Sequence, residues 1–289
     1  MQKLTRLYLL IYLSLVTAQA TQILQYGFDH TSGLVTDFDD AFVGGGDGSI
    51  LDDTGNNHHG RRIFNGPAYS ADVPAPTLTQ FTSGIGSLDV NGGHFTVGTI
   101  QNDVDFVSIA QMEATGGLTM EVWTKQVAAN GGSRAMPMSI GGAFNIEFNA
   151  NRINTFVNSS TLPQVNTPIA LVDRINMGWM HVAAVISNFT PDGGASHNFD
   201  LTLFVNGQSM ASAAYTSVTP AFALNRQMGI GSLTHDPSIA FRYDGLLFEP
   251  RLSDEALSPS QFTVIPEPSS MGLLALGLGL IATIRRRIA

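Results

Sequence analysis

Apolar and polar residues alternate in short runs along most of this chain, with Gly, Asn, Asp and Pro between the runs. In GLTMEVWTKQ (117–126), Leu118, Met120 and Val122 fall on one face and Thr119, Glu121 and Trp123 on the other, the period of a half-buried strand. The same period in AFNIEFNANRINTFV (143–157) puts Phe144, Ile146 and Phe148 on one side, before a turn at Asn149-Ala150-Asn151 and a return through Ile153. GWMHVAAVIS (178–187) is almost wholly apolar, which predicts a central strand. FDLTLFVNGQSMASA (199–213) holds Asn206-Gly207 between two strand-like runs, a pair suited to a type I′ hairpin turn. ILQYGF (23–28) and DGLLFEPRL (244–252) read as the first and last strands, and GSLDVNGGHFTVG (86–98) as a hairpin through Asn91-Gly92. AYSADVPAPTLT (68–79) reads as extended loop and SDEALSPSQF (253–262) as a short helical turn. With no amphipathic helix of ordinary length between the two ends, the pattern predicts an all-β antiparallel sandwich.

The two ends depart from this pattern. Lys3 and Arg6 precede the apolar stretch Leu7 to Val16, and Ala18 and Ala20 close it in the arrangement of a secretory cleavage site, so residues 1–20 are expected to be a signal peptide. At the other end, Pro266-Glu267-Pro268 stops regular structure. The uncharged run Met271 to Ile284 follows, and then Arg285, Arg286 and Arg287. An apolar helix ended by arginines has the charge order of a segment whose end stays in the cytoplasm, although 14 residues are few against the about 20 of a usual span.

Composition narrows the function. The chain has 14 basic and 23 acidic side chains, net −9, and five of the basic ones lie in the end segments, so residues 21–262 are more acidic still. Such a surface repels phosphate backbones, which excludes nucleic acid as a partner, and tolerates divalent cations. Cysteine is absent, so disulfides and thiolate chemistry are excluded.

Few residues carry the pattern of a reactive site. A glycanase needs two carboxylates flanking one glycosidic bond, but the positions two and four after Glu121 are Trp123 and Lys125, and those after Glu147 are Asn149 and Asn151. Pairing across strands is left open; otherwise both glutamates are solvated or hydrogen-bonded sheet residues. The loop DDTGNNHHG offers Asp52, Asp53 and Asn56 as hard oxygen donors suited to calcium, with Gly55 for a tight turn; an Asx turn satisfied by its own side chains is the alternative. His58 and His59 are adjacent and point apart on an extended backbone, and His181 lies in an apolar strand where a hydrogen-bonded role is expected. Trp123 stands opposite the apolar face of its strand and is a candidate for stacking on a sugar, as are Tyr69 and Tyr243. No G-x-S-x-G elbow and no phosphate-binding loop occur.

Two resemblances add to this reading. The tail, in the order Pro266-Glu267-Pro268, Met271 to Ile284 and Arg285 to Arg287, resembles the PEP-CTERM sorting signal of Gram-negative bacteria. That resemblance implies a surface- or matrix-sorted protein, held transiently at the inner membrane through residues 263–289 and processed by an exosortase-type enzyme. The region 21–262 resembles the LamG-like jelly-roll domains of the concanavalin A-like lectin/glucanase superfamily. The likeness rests on DDTGNNHHGRR, GLTMEVWTK, GWMHVAAVIS with LTLFVNGQ, and YDGLLFEPRLSDEALSPSQF. It implies a jelly-roll sandwich, a calcium ion near the first of these loops, and a non-catalytic module for polysaccharide or another envelope component. A glycan hydrolase of the same fold and a structural matrix protein are the alternatives. Asn206 stands where relatives often have Asp, and Phe248 where they have Asp, with Glu249 beside it, which puts any ligating role of that aspartate in doubt.

Overall fold

A computed structural model of the chain describes residues 22–28, 52–54, 60–64, 67–74, 86–90, 94–97, 108–127, 134–141, 143–157, 162, 164–220, 228–233 and 241–262. The expected signal peptide 1–20, Asn56, His58, His59 and the sorting segment with Pro266, Glu267, Pro268 and Arg285 to Arg287 lie outside the described residues.

Two antiparallel sheets face each other. The first contains β1 (Gln22–Gln25), β3 (Ala68–Ser70), β4 (Ser87–Asp89), β6 (Leu118–Gln126), β11 (Trp179–Pro191), β12 (His197–Val205), β13 (Gln208–Val218) and β15 (Gly245–Ser253). Its order is β13-β12-β11-β6-β15-β4-β3, with β1 also on β15. The second contains β2 (Gly60–Phe64), β5 (His94–Val97), β7 (Arg134–Ile140), β8 (Phe144–Asn149), β9 (Arg152–Val157), β10 (Val165–Thr167) and β14 (Met228–Ile230), in the order β10-β9-β8-β7-β14-β5-β2. The elements are strands because alternate side chains have a core to enter. Leu118, Met120 and Val122 of β6 meet Ile186, Ala184 and Val182 of β11 in register, and these residues are buried against Phe144, Ile146 and Phe148 of the facing sheet in one core cluster. The concanavalin A-like jelly-roll sandwich is the observed architecture.

Two short helices were not foreseen. α1 (Ile109–Thr115) is closed by a reciprocal capping box, Ser108 with Gln111, and ends on Gly116 at φ 79. Gly117 follows where a Cβ would sit 2.0 Å from the Ile186 carbonyl oxygen, so only glycine lets the chain enter β6 there. α2 (Leu171–Met177) leads directly into β11.

Asn206 (φ 49) and Gly207 (φ 74) form the expected left-handed turn between β12 and β13. The Asn206 side chain also accepts from the His181 backbone N–H at 2.9 Å, which docks the turn on β11. Three expectations need correction. The segments flanking Asn91-Gly92 are not a hairpin: β4 pairs with β3 and β15 in the first sheet, β5 with β2 and β14 in the second. Pairing of each segment with distant partners overrides local turn chemistry. Residues 68–70, read as loop, form the edge strand β3. Residues 60–62, read as the end of the DDTGNNHHGRR loop, belong to the edge strand β2. The short helical turn expected in 253–262 is the 3-10 turn Pro259–Gln261, and the rest of residues 254–262 runs as a strap across the outer face of the first sheet.

Candidate functional site

The polar side of β8 builds a cleft. Since Phe144, Ile146 and Phe148 enter the core, Asn145, Glu147 and Asn149 point outward, and the register places Asn154 of β9 opposite Glu147. The cleft, about 490 Å³, is lined by Arg134, Glu147, Asn149, Ala150, Asn151, Arg152 and Gln164.

Glu147 is 1 % exposed although it faces away from the core, and its two oxygens are fully engaged. Oε2 accepts from Arg134 (Nε at 2.8 Å, with Nη2 closer still), while Oε1 accepts from Asn149 at 2.8 Å and Asn154 at 3.0 Å. Asn154 Nδ2 also lies 3.2 Å from Gln164 Oε1. Arg134 in turn lies 4.2 Å from the Phe241 ring centroid, and Phe241 is held at φ 58, an uncommon conformation for an aromatic residue. One step along the same face, Asn145 is buried with neither amide nitrogen nor oxygen hydrogen-bonded, and the Asn154 Oδ1 is likewise buried and unpartnered. Each such group costs on the order of 1–3 kcal/mol until something bonds it.

The cleft is supported from below by a buried arginine. Arg174 of α2, 1 % exposed, donates from Nε to Gln126 Oε1 at 2.8 Å, from Nη1 to the Ile169 carbonyl at 2.5 Å and from Nη2 to the Asn149 carbonyl at 2.7 Å. Burial draws its pKa below the usual arginine value, which the nearby Tyr243 and Asp173 partly offset. It fixes the β8–β9 turn, whose Ala150 carbonyl also accepts from Leu171 N–H at 2.8 Å.

The opposite outer face holds a second buried polar group. Glu121 of β6 lies between His181 (Nε2 to Oε2, 2.8 Å) and Arg251, all under the strap. Arg251 Nη2 reaches the Gln261 carbonyl at 2.9 Å, and Phe262 packs 5.5 Å from the His181 ring. His181 is thus the hydrogen-bonded sheet residue expected. Glu121 and Glu147 lie on the outer faces of different sheets and cannot flank one bond; their cross-strand neighbours are Ala183 and Arg251 for the first, Asn154 for the second.

The other sequence candidates divide. Tyr243 is buried at 0 % exposure, with its hydroxyl accepting from Thr124 Oγ1, and Tyr69 is buried against Phe28, so neither can stack on a ligand. Each was expected as an aromatic free to stack on a sugar, but each ring fills the core. Trp123 is half-buried beside His181, at 5.3 Å between ring centres, on the first sheet, whereas the cleft strands belong to the second. Asp52 Oδ1 accepts from Gln25 N–H (3.1 Å), Thr54 N–H (3.1 Å) and Thr54 Oγ1 (2.8 Å), and Asp53 Oδ2 accepts from Gly27 N–H (2.6 Å). These two carboxylates pin the described part of the loop to the chain around β1 as a hydrogen-bonded turn. Among the described residues no group of three His, Asp or Glu side chains gathers as metal ligands.

The cleft was missed because β8 was read by its apolar face. The signal was present in the other face, where Asn145, Glu147 and Asn149 alternate with the core residues.

Two facing antiparallel sheets in this strand order define the jelly-roll sandwich class of protein. Within it, this chain belongs to the concanavalin A-like lectin/glucanases superfamily, whose family model matches residues 79–262. A PEP-CTERM protein-sorting motif matches residues 264–287. No curated protein matches the chain. Among solved structures, domain 4 of AbnA, a GH43 extracellular arabinanase from Geobacillus stearothermophilus solved with arabinotriose, is 17 % identical, with 85 % of this chain and 98 % of that one covered at TM-score 0.52. The CBM40 of the Ruminococcus gnavus IT-sialidase is 15 % identical over 53 % of this chain and 84 % of its own, at TM-score 0.39. The binding domain of botulinum neurotoxin DC is 8 % identical, with 84 % of this chain covered at TM-score 0.47, and this chain spans only 50 % of that one.

Proposed function

We propose that the domain is an exported, non-catalytic module that binds polysaccharide in the cleft on the second sheet. The observation that carries this is the cleft's chemistry: a carboxylate held by one arginine and two amides, with further amide groups buried and unpartnered beside it. Planar amide and carboxylate groups suit sugar hydroxyls, each of which is both donor and acceptor. An arabinanase domain of this fold is known with arabinotriose, so the fold can carry an oligosaccharide. Hydrolysis is disfavoured because, among the described residues, Glu147 is the one carboxylate lining the cleft and is committed to Arg134, where a glycosidase needs a protonatable partner beside a second carboxylate. In the same reading, Met271 to Ile284 holds the protein at the inner membrane until an exosortase-type enzyme acts near Pro266-Glu267-Pro268 and passes the domain to the surface or matrix.

The test is calorimetric titration of the full chain in detergent with a panel of soluble polysaccharides, with reducing ends assayed in parallel. The reading expects saturable binding without new reducing ends. New reducing ends would establish the hydrolase, and no binding across the panel would favour a structural matrix role.

A further inference from the structure

The large exposed hydrophobic residues are not scattered. Among the described residues they are Val127, Val172, Ile175, Met177 and Met210, with Val172 61 % and Met177 50 % exposed. Three lie on α2, and Val127 follows Gln126, the residue that Arg174 of α2 holds. The antiparallel register puts the end of β6, the start of β11 and the start of β15 together, since Trp179 pairs with Lys125 and Gly245 with Gln126. The β12–β13 turn sits toward this same end, because Val205 lies opposite Val182, while Met210 lies further back on the edge strand β13, level with Ala183 and Ala184. Four of the five exposed apolar side chains, Val127, Val172, Ile175 and Met177, therefore crowd one end of the sandwich. Single exposed hydrophobics need no explanation, but a cluster marks an interaction surface.

The strap delivers the tail to that end. β15 finishes at the far end, where Ser253 lies opposite Thr119. The chain then doubles back: Thr119 Oγ1 donates to the Glu255 carbonyl at 2.7 Å and accepts from Leu257 N–H at 2.9 Å, and Phe262 reaches His181 and Phe204. His181 is two residues from Trp179, so the last anchored residue sits about 7 Å along the strand from the apolar end. Eight residues separate Phe262 from Met271, a reach of roughly 30 Å at most.

We propose that this end of the sandwich, with Val127, Val172, Ile175 and Met177 at its centre, rests on the lipid surface from which the sorting segment rises. The proposal rests on the reading of Met271 to Ile284 as a membrane segment. A tether this short, leaving the domain beside the apolar cluster, keeps that cluster at the headgroups, where valine, isoleucine and methionine enter the acyl boundary. The net charge of −9 favours a zwitterionic surface over an anionic one.

The experiment places the full chain carrying Trp123→Phe, with Trp179 as its one tryptophan, in phosphatidylcholine vesicles whose acyl chains carry bromine. Flotation with the vesicles reports the tail; loss of Trp179 emission relative to unbrominated vesicles reports the apolar end. We expect flotation with quenching, and for Val172→Ser with Ile175→Ser, flotation with emission restored. Because both positions are solvent-exposed, the double variant retains the fold. A chain that floats with undiminished Trp179 emission, or a double variant quenched as strongly as its parent, overturns the proposal and leaves the tail reading intact. A chain that does not float overturns both.

Discussion

The Arg174 guanidinium donates to the Asn149 carbonyl at 2.7 Å, and through its Nε to Gln126 Oε1, so one side chain ties the ends of β8 and β6 in opposite sheets. No carboxylate shares these bonds: its acceptors are an amide and backbone carbonyls. Such a buried donor set is costly to remove, because every acceptor left behind has lost its partner.

Arg174→Ala should therefore destabilise the domain by about 3–5 kcal/mol, and Arg174→Lys should recover little, since an ammonium cannot span the same fork of acceptors. Urea denaturation followed by tryptophan emission measures both. A loss below about 1 kcal/mol for the alanine variant would contradict the role given to Arg174.

The buried group of Glu121, His181 and Arg251 makes the strap part of the fold. Glu121→Ala leaves Arg251 and His181 buried without their acceptor and should cost about 3–5 kcal/mol. It should also make residues 254–262 the first site of limited proteolysis. Wild-type resistance of this segment, retained in the variant, would show that the strap is held by its apolar contacts with Ala183 and Val185 alone.

Alkaline pH tests the core. Burial raises the Tyr243 phenol well above its ordinary value, in spite of the hydrogen bond with Thr124 and the charge of Arg174. Because the folded pKa is the higher one, the unfolded chain releases this proton first. Stability is unaffected below the ordinary tyrosine pKa and falls above it by about 1.4 kcal/mol per pH unit for this group. Tyr215, also raised by burial, adds a loss of the same sign at alkaline pH. Tyr243→Phe should flatten the alkaline limb of the stability curve, and an unchanged slope would place the proton elsewhere.

Asp52 holds its loop by accepting from Gln25 and Thr54. Asp52→Ala should cost about 1–3 kcal/mol in EDTA, since two buried N–H groups lose their acceptor. If the loop is held by these bonds alone, calcium leaves the wild-type melting temperature unchanged; a calcium-dependent rise would show that an ion shares the carboxylate.

Much of this was legible in the sequence wherever a residue's local pattern and its distant partner agree. The apolar face of β6 and the Asn206-Gly207 turn are of this kind: period two fixed the first, and positive φ at both turn residues fixed the second. The tail motif is wholly local and is matched as read. Where the two levels conflict, the local signal misled. Asn91-Gly92 has hairpin chemistry, yet Leu88 pairs with Leu247 and Phe95 with Ile230, in different sheets. β7 escaped notice because Pro137 breaks a strand pattern; it is tolerated in a bulge between Ala135 and Met138. The cleft needs four separate segments, bringing Arg134, Glu147, Asn154 and Gln164 together, and no spacing in the chain announces that.

The most direct measurement is titration of the polysaccharide that binds the wild-type chain into Asn154→Ala and Arg134→Ala variants, with melting temperatures taken alongside. If sugar hydroxyls bond the cleft, each variant loses on the order of ten- to a hundredfold in affinity, the worth of one or two hydrogen bonds to a charged or amide group, while both stay folded at the temperature of the titration. Affinity unchanged in both folded variants would place the ligand elsewhere on the domain and contradict the account.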